Sequence, residues 1–74
     1  MKYILDIEAD NLLDDVTTIH CVVLRDVDSF DTLSFYGEEL KDSVHVMENA
    51  DQLIGHNLLG YDLPVLKKLW DWEY

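Results

Sequence analysis

A chain of 74 residues holds one domain at most, and a domain of that size buries only about 60% of its unfolded surface, so its core is modest. Hydrophobic residues make up 49%, with 2 Trp, 4 Tyr and 2 Phe, which excludes the composition of a disordered chain. Its 16 acidic and 5 basic residues give a net charge of −11, which repels a phosphate backbone at long range unless cations or another surface intervene.

The single cysteine, Cys21, excludes an internal disulfide and points to a reducing compartment. "MKYILDIEAD" meets acid too early for a signal peptide, and no apolar run approaches the roughly 20 residues of a membrane span. The expectation is a soluble, cytoplasmic chain that does not engage a membrane.

In chain order, Lys2 to Ile7 is short and apolar and predicts a first strand. Residues 9–17 form a polar loop around the pair Leu12 and Leu13. Residues 18–25, "TIHCVVLR", predict a second strand, with Ile19, Cys21 and Val23 on one face and Val22 and Leu24 on the other. Such a strand suits a central position covered on both sides. "DVDSFD" is a turn region whose aspartates, like those at 14 and 15, read as solvated. "TLSFY", residues 32–36, alternates as an edge strand with Leu33 and Phe35 facing in.

Gly37 ends that strand. From Glu38 to Asn49, Leu40, Val44 and Met47 make a helical stripe. "QLIGHN", residues 52–57, predicts a fourth strand, and "LLGYD" a turn. Val65, Leu66, Leu69 and Trp70 predict a second helix over 63–70, with Pro64 in its first turn, where a missing N–H costs nothing. Trp70 and Trp72, near the end, read as an exposed face that a larger core or a second copy would cover.

The order β-β-β-α-β-α limits the topology of this α/β domain. Short loops make the first three strands an antiparallel meander, and a helical crossover returns the fourth strand in parallel. Placed beside strand one, it gives a mixed sheet of order 3-2-1-4. Asp6 and Glu8 then lie near the C-terminal end of strand one, with Asp62 at the same edge after strand four. Three converging carboxylates repel and raise each other's pKa. A hard divalent cation, Mg²⁺ or Mn²⁺, removes that conflict, and two such ions about 4 Å apart can drive phosphodiester hydrolysis. Each residue also has a structural reading. A D-x-E pair can be a solvated strand end, Asp62 can favour the positive end of a helix, and His56 can be a hydrogen-bonded structural histidine. Cys21 reads as core.

Taken together, "DIEADNLL" and "GHNLLGYDLPVLKKL" resemble the first and second motifs of the DEDD 3′–5′ exonuclease superfamily. The likeness is nearest to the N-terminal proofreading domain of podovirus-type family A DNA polymerases, and "IHCVVLRD" resembles that domain's second strand. The resemblance implies a partial ribonuclease H-like fold and two-metal removal of nucleotides from the 3′ end of single-stranded DNA. By motif, Asp6 would bridge both metals, Glu8 would bind the metal that activates water, and Asp62 would hold the second. Ala9, Leu12 and Asn57 would contact the substrate, with Leu12 wedged against the terminal bases. The family's third motif, Tyr-x-x-x-Asp or His-x-x-x-x-Asp, occurs nowhere in these residues. The expectation is therefore a truncated exonuclease-like domain over 1–74 that is inactive alone and needs a second polypeptide carrying that motif. The alternatives are a non-enzymatic acidic protein, acting as a DNA mimic or docking decoy, and a homodimer.

Overall fold

The computed structural model describes residues 1–74. Strands β1 (Lys2–Ala9), β2 (Ile19–Asp26) and β3 (Thr32–Tyr36) form the expected meander. Gly37 turns the chain out of β3 with φ +53°, a conformation that costs an L side chain but not glycine. A 3₁₀ turn (Gly37–Glu39) leads into helix α1 (Leu40–Glu48), which carries the chain over to β4 (Gln52–Ile54). β4 runs parallel to β1, with Lys2 opposite Gln52 and Ile4 opposite Ile54. The sheet order is β3-β2-β1-β4, as the crossover argument requires. Helix α2 (Leu63–Trp70) closes the fold.

Both helices lie on one face of the sheet. Tyr3, Leu5 and Ile7 of β1 and Val22 and Leu24 of β2 share a single core with Met47 of α1 and Val65 and Leu66 of α2. Lys2, Ile4, Asp6 and Glu8 alternate onto the opposite, exposed face. Two-sided coverage of the central strands is thus corrected: the polar residues at even positions of β1 leave one face of the sheet wet.

The faces of β2 are corrected by a β-bulge. Glu8 opposes Cys21 and Ala9 opposes Ile19, so His20 is the extra residue. The bulge moves Ile19 onto the core face beside Val22 and Leu24, while Cys21 and Val23 stay on the face of Glu8 and Asp6. In β3 only Phe35 packs against the core, and Leu33 is 41% exposed.

Two further expectations change. Asp26 is buried, not solvated, because its carboxylate accepts the backbone N–H groups of Asp28 (2.8 Å) and Ser29 (3.2 Å) and so organises the β2–β3 turn. The C-terminal residues fold back onto the helices. The Trp72 indole N–H donates to Glu48 at 3.0 Å, and the Tyr74 hydroxyl donates to the Ala50 carbonyl at 2.7 Å. Trp70 and Trp72 are half-buried, packed against the core on one side and open to a surface groove on the other. No helix is long and apolar enough to cross a membrane.

Candidate functional site

β4 stops at Ile54 while β1 runs on to Ala9, so the far half of β1 has no parallel neighbour. A π-helical turn, Leu58–Asp62, takes that place. The Asn57 carbonyl accepts from both Tyr61 (2.9 Å) and Asp62 (3.3 Å), the second bond spanning five residues. Pro64 explains the widening: it offers no N–H, and its ring would crowd the Gly60 carbonyl in a regular α-helix.

The wide turn carries the Asp62 carboxylate over Gly55 against the edge of β1. A Cβ at position 55 would lie 3.2 Å from an Asp62 carboxylate oxygen and 3.3 Å from the Leu5 carbonyl oxygen. Gly60 does the same for Asn57, whose side-chain oxygen would lie 2.5 Å from a Cβ there. The two glycines of "GHNLLG" are therefore spaces for site side chains.

These elements enclose a cleft of about 550 Å³ on the exposed side of β1. Of the six predicted positions it brings together four: Asp6, Leu12, Asn57 and Asp62. Glu8 shares the exposed face of β1 but lies outside the cleft lining. The Ala9 side chain turns onto the core face, so only its backbone is available at the strand end. Leu12 is 76% exposed at the rim. His56 and Tyr61 complete the polar lining, and no Lys or Arg takes part in it.

The electrostatics single out Asp62. It is 7% exposed and lines the cleft, and its carboxylate keeps some access to solvent while accepting no hydrogen bond from the protein. Burial, and then the charge of Asp6 beside it, push its pKa up to about 6. Such a carboxylate favours a proton or a metal cation. The chain gathers no group of three or more acidic, histidine or cysteine side chains close enough to cage an ion. The hard oxygen donors at hand are the pair Asp6 and Asp62, a donor set that suits Mg²⁺ or Mn²⁺ completed by water.

The Leu12 loop is anchored by residues that the sequence did not single out. Asp10 accepts from Thr17 N–H (2.9 Å), Thr18 N–H (3.1 Å) and the Thr17 hydroxyl, which hold its pKa down to about 2. The Tyr61 hydroxyl donates to the Asn11 carbonyl at 2.6 Å. Lys68 of α2 donates to the carbonyls of Leu13 (2.8 Å) and Asp14 (2.9 Å). No signal in the sequence pairs residues fifty positions apart; only "DNLLDDVTT", with an acid followed by two threonines, hints at the Asp10 clamp.

No protein-family model and no curated protein matches this chain.

Proposed function

We propose that this chain supplies the first and second acidic motifs of a DEDD-type 3′–5′ exonuclease site on a partial ribonuclease H-like fold. The observation that carries the reading is the buried, unpartnered carboxylate of Asp62 beside Asp6, in one cleft with Leu12 and Asn57. Asp6 and Asp62 would hold Mg²⁺ or Mn²⁺, with Glu8, two residues along the same exposed face of β1, as the further carboxylate of the first motif. A bound divalent ion supplies Lewis acidity toward a phosphodiester and its attacking water. The chain's own residues do the rest. Asn57 offers amide hydrogen bonds to a terminal nucleotide. Leu12, at the rim, offers an apolar face to its base. Tyr61 holds the Leu12 loop to the turn that carries Asp62. The third motif is not among these 74 residues, so by themselves they are a very poor nuclease or none; a second chain is one source that can supply it.

The test incubates a 3′-labelled single strand with Mn²⁺, this chain and a polypeptide carrying Tyr-x-x-x-Asp. Nucleotide release that vanishes in Asp6→Ala supports the proposal. Failure of Mg²⁺ or Mn²⁺ to raise the melting temperature of the chain alone sinks the metal site and favours the acidic binding-protein reading.

A further inference from the structure

A second concavity, of about 750 Å³, lies between the start of α1 and the end of α2. It shares no residue with the cleft, and its apolar lining is Leu40, Val44, Trp70 and Trp72. Trp72 is fixed there by its hydrogen bond to Glu48. This is a preformed groove, open on one side, with the aromatic walls that mark protein recognition surfaces.

Charge decides what fits it. Glu38 and Lys41 line the groove, Glu39 adjoins Glu38 in the 3₁₀ turn, Glu48 lies on the same face of α1 as Leu40 and Val44, and Glu48, Asp71 and Glu73 flank Trp72. Lys41 is the one cation in the lining, set against Glu38 and Glu48, and the nearby Lys67 is already paired with Asp71 at 2.8 Å and Glu73 at 3.0 Å. A second copy of this chain carries −11 and is repelled. Nucleic acid, which at the cleft would need a bridging cation, and anionic membranes are repelled from the groove for the same reason. A basic surface with apolar anchors is attracted and can also fill the walls.

We infer that the α1–α2 groove binds a cationic amphipathic helix of a partner protein, its apolar face on Leu40, Val44 and the two tryptophans and its basic face toward Glu38 and Glu48. Helix-in-groove docking needs both parts, since the apolar anchors supply affinity and the charge supplies selection and rate. This inference does not rest on the nuclease reading.

Trp70 and Trp72 are the only tryptophans in the chain, so their emission reports the groove directly. The probe is a synthetic leucine–lysine peptide of about 18 residues, long enough to be helical. Its two controls are the same peptide with every leucine replaced by serine, and one with every lysine replaced by glutamate. The expected result is a blue shift on adding the leucine–lysine peptide, with a Kd on the order of 1–10 µM at low salt, and none with either control. Val44→Asp should weaken binding by about tenfold or more, and raising salt from about 0.05 to 0.5 M should do the same. Lys41→Glu removes a like charge and should tighten binding a few-fold, which keeps the inference testable if Val44→Asp fails to fold. Equal binding of the leucine and serine peptides, an unmoved emission spectrum, or indifference to Lys41→Glu would overturn it.

Discussion

Two aspartates, Asp10 at the base of the Leu12 loop and Asp62 in the cleft, show opposite uses of the same side chain. Asp10 is exposed and gathers three donors, and its pKa falls to about 2. Asp62 is buried and gathers none, and its pKa rises to about 6. A carboxylate whose acceptors are filled by its own chain is a structural clamp. One that folding largely buries without donors costs stability. Asp26, buried but satisfied by the backbone N–H groups of Asp28 and Ser29, shows that burial alone does not make the difference.

The largest effect is expected from Asp62→Asn. A folded-state pKa raised above the unfolded value means that the folded chain binds the proton more tightly. The Asp62 contribution to stability is therefore greatest below about pH 4, falls as pH rises from about 4 to 6, and is flat above. The full shift would correspond to about 3 kcal/mol, and solvent reaching the carboxylate through the cleft screens part of it. In chelator, Asp62→Asn should recover a large part of that at pH 7 and abolish the acid-side rise, as read by urea unfolding across pH. A variant less stable than the parent at pH 7 would mean that Asp62 has a partner after all.

Next comes the ion. Mg²⁺ or Mn²⁺ at about ten times its Kd should stabilise the chain by about 1.4 kcal/mol. The gain should disappear in Asp62→Asn and Asp6→Asn and survive in Asp10→Asn. A gain that survives in all three variants would be general screening of the −11 charge and would erase the contrast between the two aspartates.

Tyr61→Phe sharpens the comparison because Tyr61 links its two halves. It removes the 2.6 Å bond to Asn11 and should cost about 1 kcal/mol. Amide exchange should speed up in residues 10–14 more than in the sheet. Uniform exchange would mean that the loop does not depend on this anchor. Asp10→Asn should have the smallest effect on global unfolding, since the clamp is solvent-exposed. Its pKa is lowered on folding, so the contribution is present above about pH 4 and is lost as pH falls toward 2. Asp10→Asn and the parent should therefore differ least in strong acid. A difference that persists there would assign the loss to packing.

Much of the fold was legible because local signals agreed with one another. Glycine and proline punctuation, period-2 strands and a single helical crossover leave few topologies, and order 3-2-1-4 followed. Helix α2 was readable to the residue because Pro64 and the Val65, Leu66, Leu69, Trp70 stripe both mark it. The bulge at His20 was not, since it is set by how Ala9 and Ile19 meet across two strands. The burial of Asp26 and the docking of Trp72 and Tyr74 likewise depend on partners far along the chain or on a turn's exact closure.

The same division runs through the candidate site. The amino-acid order alone fixed which acids end up at one rim, because a parallel strand must bring the end of "DIE" and the segment after "QLI" to the same edge. Only the tertiary structure decided that Asp62, carried by a π-helical turn over Gly55, is buried without a donor while Glu8 stays outside the cleft. Solvation is the physical reason: whether a carboxylate is satisfied depends on which distant N–H and O–H groups reach it, and chain order does not encode that contact.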